Sequence, residues 1–287
     1  MSILQRSIST QQDSSNPIQK MAFEPVHCYV AGRIQPKVEN DSIAHALKLL
    51  MQGESGQELS AKALYPILCL AEHRHLAREV EWQLVIDDMV AYEIKPSSES
   101  CLDELIASLR PSVLPSDAHI AVGQLSDAPI DFEQPPKLLC HHIMHKSRDF
   151  LVSGISEALK KYASSEKCDQ DLLTNQVLEA ILSHTHNLGI NDAERALNYV
   201  CWNYPDIYAV AYKMLKGGFE NDSQDPQGFT LEDIFYESYP LQGQQQIYQI
   251  VFEFKGNSSD LRSRWYCRVD ASADYPTLQH GMKRYYG

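Results

Sequence analysis

Hydrophobic positions along this chain recur at two periods, and the dominant period changes near residue 230. Val26-His27-Cys28-Tyr29-Val30 reads as a strand that ends at Gly32. From Ser42 to Met51, Ile43, Leu47 and Leu50 fall at helical spacing, and Gly53 and Gly56 then break the pattern. Leu59 to Leu76 is mainly helical, with a kink or restart at Pro66. Trp82 to Ile86 and Met89 to Ile94 flank Asp87-Asp88, the pattern of a hairpin with a polar two-residue turn. Leu102, Leu105, Ile106 and Leu109 form one helical stripe stopped by Pro111, and His119 to Gly123 is a further strand.

Asp127 to Lys137 holds three prolines and no periodicity, so a lobe boundary is expected there. Beyond it, Leu138 to Met144 reads as a strand and Phe150 to Tyr162 as a helix. Leu172, Leu173, Gln176, Val177, Ala180 and Ile181 give an amphipathic helix, which Gly189 ends as a left-handed cap. Asn191 caps the next helix, with Glu194 placed to reach back to the Asn191 backbone amide. In that helix Ala193, Ala196, Leu197, Val200 and Cys201 face the core, and Arg195 and Asn198 lie off the stripe. Near the end, Tyr248 to Phe254 and Arg264 to Val269 alternate around a polar turn at Gly256–Asp260, as an antiparallel hairpin does. Helices first and strands later, without regular alternation, predict an α+β fold with a C-terminal antiparallel sheet. The expected layout is a disordered tail over 1–22, an α+β lobe over 23–130 and a C-terminal lobe over 137–287. One compact domain is the alternative.

The 287 residues suffice for a sizeable core, and 44% hydrophobic with 22% charged residues is ordinary globular composition. The formal net charge of −13 disfavours nucleic acid and anionic membranes and favours a cationic peptide or protein partner. No apolar run approaches the roughly 20 residues of a membrane span, and the polar start lacks a signal-peptide core. Seven cysteines, scattered singly, read as small buried hydrophobes in a reducing cytoplasm.

The densest metal-like cluster is Cys140-His141-His142-Ile143-Met144-His145. On a helix His141 and His145 would share a face, but the glutamate a zincin needs after the first histidine is replaced by His142. His73/His75 and His184/His186 are spaced for a strand yet fall in or beside helices. No metal site and no cofactor are therefore expected. Gly154-Ile155-Ser156-Glu157-Ala158 falls short of a nucleophile elbow, because Ser156 lies inside a helix. What remains is Arg78 and Trp82 at a helix-to-hairpin transition, and Arg195, Asn198, Tyr199, Tyr204 and Tyr208 close together in sequence. Arginine and tyrosine anchor peptide and protein recognition, so these seven are the candidate binding residues. If they bind, Arg195→Ala weakens binding and leaves the melting temperature nearly unchanged. A structural role predicts a large drop instead.

Several segments resemble one family. They are Cys28-Tyr29-Val30-Ala31-Gly32-Arg33-Ile34, His75-Leu76-Ala77-Arg78 with Trp82 to Ile94 after it, and Leu109-Arg110-Pro111. Glu194-Arg195-Ala196-Leu197-Asn198-Tyr199 and Tyr204-Pro205-Asp206-Ile207-Tyr208 match best, and Arg268-Val269-Asp270, Pro276 and Tyr285-Tyr286 close the region. Together, over about residues 24 to 286, they are similar to the C-terminal domain of unknown function of the cyanobactin maturation proteins PatA and PatG. That resemblance implies a setting in ribosomal peptide natural-product maturation. It implies a domain that usually trails a subtilisin-like protease, here expected as a stand-alone copy, with no catalytic residue to carry over. The leading expectation is a non-catalytic module that binds a precursor peptide or a maturation enzyme. A metal-dependent peptide-modifying enzyme using the histidines is the second expectation. A structural homodimer joined through the C-terminal hairpin is the third.

Overall fold

A computed structural model describes residues 25–51, 59–126, 134–162, 173–219, 225–239 and 245–286. The expected tail over 1–22, the breaks at Gly53 and Gly56, the core of the expected lobe boundary at 127–133, Cys168 and Leu172 lie outside the described residues. The first unit has strands β1 (His27–Lys37), β2 (Glu81–Ile86), β3 (Met89–Pro96), β4 (Ala118–Leu125) and β5 (Lys137–Lys146). They close a barrel in the order β1-β2-β3-β5-β4. Helices α1 (Asp41–Leu50), α2 (Ala61–Leu68), α3 (Arg74–Glu79) and α4 (Glu99–Ala107) accompany it.

β1 does not stop at Gly32. Its first half pairs with β4 and its second half with β2, so one strand turns the corner that closes the barrel. A Cβ on Gly32 would lie 2.8 Å from the Val85 carbonyl oxygen, which is why the corner carries glycine. The β2–β3 hairpin forms as expected, with Asp87 and Asp88 both at positive φ, the mirror-image turn that suits strand twist. β5 pairs in parallel with β3 and antiparallel with β4. The division expected after residue 130 therefore falls within the barrel: Pro135 and Pro136 lead into its fifth strand, not into a separate lobe.

The second unit is layered on the first. Helix α5 (Arg148–Tyr162) is followed by a π-helical turn (Leu173–Leu178) running into α6 (Glu179–Leu182), then α7 (Asp192–Asn203) and α8 (Asp206–Leu215). The chain ends in a four-stranded antiparallel sheet of β6 (Phe229–Tyr239), β7 (Ile247–Gly256), β8 (Arg262–Asp270) and β9 (Thr277–Arg284). The α+β class and the C-terminal antiparallel sheet agree with the sequence pattern, and the single expected hairpin is the centre of that larger sheet.

Two hydrophobic cores result. Cys28, Val30, Leu84, Tyr92, Ile94, Ala121 and Leu138 join Leu47, Leu64 and Leu105 of the first four helices. Tyr29, Ala31, Ile120 and Val122, the alternate residues of β1 and β4, join α5 to α8 and Ile250, Phe252, Phe254 and Cys267 of the sheet. Because side chains alternate along a strand, β1 and β4 contribute side chains to both cores. Among the described residues no helix is long and apolar enough to cross a membrane.

Candidate functional site

The seven residues singled out by sequence do not share an accessible surface. Trp82 (2% exposed), Arg195 (2%), Asn198 (0%) and Tyr208 (0%) are buried. Trp82 donates its indole N–H to the Ala77 carbonyl at 3.2 Å, and Tyr208 donates its hydroxyl to the Cys201 carbonyl at 2.5 Å. Arg78 is exposed but pairs with Glu99 of α4 on the barrel side of the molecule. Tyr199 and Tyr204 are half-buried; Tyr199 packs edge-on to Tyr29, and the Tyr204 oxygen accepts the Met282 amide at 3.0 Å. Burial pushes the Tyr204 phenol up to about 12.

Arg195 and Asn198 are clasps. Arg195 donates to the carbonyls of Ala271 (3.0 Å), Ala273 and Asp274 (3.3 Å), and pairs with Asp192 at 2.6 Å. It thereby fixes the β8–β9 loop against α7. Asn198 donates to the Tyr29 carbonyl at 2.9 Å and exchanges amide bonds with Asn187. The amide oxygen of Asn187 also accepts the Gly189 N–H at 3.0 Å. Gly189 is left-handed, as expected, but it does not end a helix: helical structure has already ended at Thr185. Its carbonyl accepts the Tyr29 amide at 3.0 Å, and a Cβ there would meet the Tyr29 carbonyl oxygen at 2.3 Å. The Asn191 cap forms as expected, whereas the Glu194 carboxylate accepts the Ile190 amide, one residue earlier than expected.

The cavity that joins the two units is a cleft of about 400 Å³ that the sequence did not announce. Its barrel wall carries Arg33 and the hairpin turn Asp87-Asp88, and its helical wall carries Arg148, Glu179, His186 and Trp202. Ion pairs rim it: Arg33 with Asp88, Arg148 with Glu179, and His186 Nδ1 with Asp87 at 3.0 Å. The lining residues hold four carboxylates and two guanidiniums, the Asp117 carboxylate being turned onto backbone amides. The buried indole N–H of Trp202 has no hydrogen-bond partner. A buried donor without an acceptor is uncommon, and Trp202 is one of the residues that line the cavity.

Behind the cleft is a small polar cluster. Asp117 is buried and accepts the backbone amides of Leu114 and Arg148, both at 3.0 Å, and His145 Nε2 lies 3.0 Å from it. Burial raises its pKa, but these hydrogen bonds and the His145 charge prevail and hold the carboxyl below its usual range. His145 stacks on His119, with ring centroids 5.3 Å apart. His119 is buried with neither ring nitrogen partnered, and burial, helped by the His145 charge, lowers its pKa to about 4.

The histidine run 141–145 lies on strand β5, not on a helix, and its members part company. His141 faces Asp274, His142 faces Glu104 and His145 faces Asp117. Among the described residues no three His, Cys, Asp or Glu side chains are grouped to hold a metal ion. Ser156 donates to the Val152 carbonyl inside α5, the helical placement that the sequence indicated. Of the described cysteines only Cys69 is exposed, and burial pushes Cys28 up to about 11 and Cys267 up to about 12. Such thiols stay protonated and are poor nucleophiles.

Comparison with known proteins places this architecture. A family model described as "PatG Domain" matches residues 27–214, and one described as "PatG C-terminal" matches residues 164–285. A solved structure described as "PatG Domain of Unknown Function" superposes with a TM-score of 0.66 at 17% identity, covering 90% of this chain and 98% of that one. At that identity the likeness is one of fold. No curated protein matches the chain.

Proposed function

Since this chain belongs to the PatG domain family, a domain of unknown function tied to cyanobactin biosynthesis, we propose that it is a non-catalytic binding module of that pathway. It takes a basic segment of a precursor peptide in the cleft between barrel and helices. The observation that carries this reading is the cleft itself, whose lining residues hold more carboxylates than guanidiniums. Sites between packed units are where ligands commonly bind.

The test uses rim residues that the fold hardly needs. Asp88 and Glu179 have side chains 90% and 57% exposed, and exposed ion pairs contribute about 0–1 kcal/mol to stability. Asp88→Asn keeps a residue that tolerates positive φ. Combined with Glu179→Lys, it is expected to weaken binding of a fluorescently labelled lysine-rich precursor segment about tenfold, with little change in melting temperature. Wild-type binding should also weaken as salt rises. Unchanged affinity in the double variant, or a change in the peptide's mass, contradicts the proposal.

A further inference from the structure

The outer face of the C-terminal sheet carries a second, chemically opposite site. Glu237, Gln249 and Arg268 form one cross-strand row over β6, β7 and β8. Gln249 donates to Glu237 at 3.2 Å and accepts Arg268 Nε at 3.1 Å. That chain of hydrogen bonds aims the guanidinium through its Nε, and among the described residues no hydrogen bond engages either Nη group. The Arg268 guanidinium carbon lies 3.7 Å from the centroid of the Tyr239 ring and 5.3 Å from that of Tyr266. An arginine held between aromatic faces loses little freedom on binding and keeps its donor fork.

What distinguishes Arg268 from its neighbours on β8 is the absence of a paired carboxylate among the described residues. Four and six residues earlier on β8, Arg264 and Arg262 are both neutralised by Glu253, and Arg262 also by Glu232. No carboxylate pairs with Arg268 among the described residues, and the one carboxylate in its row is held by Gln249. A second cation, Arg284, lies over Tyr286 at 5.3 Å on the same groove, whose volume is about 430 Å³. Tyr286 is 85% exposed, so the groove offers an uncovered ring beside two guanidiniums.

We infer that this groove binds an acidic peptide segment, with Arg268 receiving an aspartate or glutamate side chain through its paired Nη donors. The bidentate match of guanidinium to carboxylate is the strong form of the charge-assisted hydrogen bond. The tyrosine rings supply contact area at low entropic cost. A phosphate backbone could also use arginine and tyrosine, but a chain of net charge −13 repels a polyanion over its whole surface. A short acidic segment engages the local cations alone.

The experiment is an anisotropy titration of the whole chain with three fluorescent probes. They are a peptide with paired glutamates and an amidated C-terminus, its glutamine version with a free C-terminus, and oligo(U). The expected result is saturable binding of the glutamate peptide only. Arg268→Ala should weaken it tenfold or more, and Arg268→Lys should restore part of the loss, with an unchanged melting temperature in both. Asp88→Asn/Glu179→Lys should leave this affinity unchanged, which separates this site from the cleft. Equal binding to wild type and Arg268→Ala, preference for the free C-terminus or for oligo(U), or no binding at millimolar peptide each overturns the inference. So does a concentration-dependent dimer in sedimentation that Arg268→Ala abolishes, because a second copy would then occupy the groove.

Discussion

Arg195→Ala is expected to lower the melting temperature by roughly 6–20 °C, against the near-neutral effect that a surface binding role predicts. Three backbone carbonyls of the β8–β9 loop and the Asp192 carboxylate all receive the Arg195 guanidinium. Truncation leaves those acceptors facing a cavity. Removing one partner of a buried charged network costs about 3–5 kcal/mol. In a chain of this size each kcal/mol lowers the melting temperature by roughly 2–4 °C. Arg195→Lys should recover only part of the loss, because one ammonium cannot span three carbonyls held in different directions. Thermal unfolding followed by circular dichroism checks both variants. A shift under 2 °C in Arg195→Ala would show that the loop does not depend on the clasp.

The second large effect is on acid stability. His119 has its pKa lowered to about 4 from an ordinary 6.5 because the charged ring is buried in the barrel wall. A histidine whose folded pKa is depressed contributes its full stability above pH 6.5. As pH falls from 6.5 towards 4, the unfolded chain takes up a proton that the folded chain refuses, and that stability is lost. By linkage the loss at pH 4 is about 3 kcal/mol. His184, also lowered by burial, adds loss in the same direction, and Asp117, held below its usual range, adds more at lower pH. Denaturant unfolding from pH 8 to pH 4 should therefore show a falling limb that begins below 6.5. His119→Leu should flatten most of it relative to its own pH 8 value. An undiminished limb in that variant would mean that the ring is not held neutral.

The parts of the fold that were legible in the sequence are those fixed by local pattern. The Asp87-Asp88 turn, the stripe Leu102–Leu109, the Asn191 cap and the alternation in β7 and β8 each declare themselves within a few residues. Two features resisted. β1 runs through Gly32 because its second half pairs with a strand some 50 residues later, and periodicity carries no record of that partner. β5 looked like the start of a new lobe because proline-rich chain precedes it, yet its partners are β3 and β4. Barrel closure is a long-range decision.

The site was harder still. Arg195 and Asn198 lie off the apolar stripe of α7, so on a helix with one solvated face they would be exposed. That face is covered by β1 on one side and by the β8–β9 loop on the other. Both residues are polar because the backbone groups that cover them need partners. The cleft gathers residues 31–33, 85–88, 116–118, 148, 179, 182, 185, 186 and 202, and no motif marks such an assembly. The nearest signal was the pair of aspartates at a tight turn, legible as a turn and silent about what faces it.

In the proposed function the cleft between barrel and helices holds a peptide without acting on it. Amide hydrogen exchange by mass spectrometry, on the full chain with and without a lysine-rich precursor segment, tests this most directly. Slower exchange in residues 31–33, 85–88 and 179–186, with the peptide recovered at its original mass, is expected. Protection confined to other surfaces, or a cleaved or modified peptide, would contradict it.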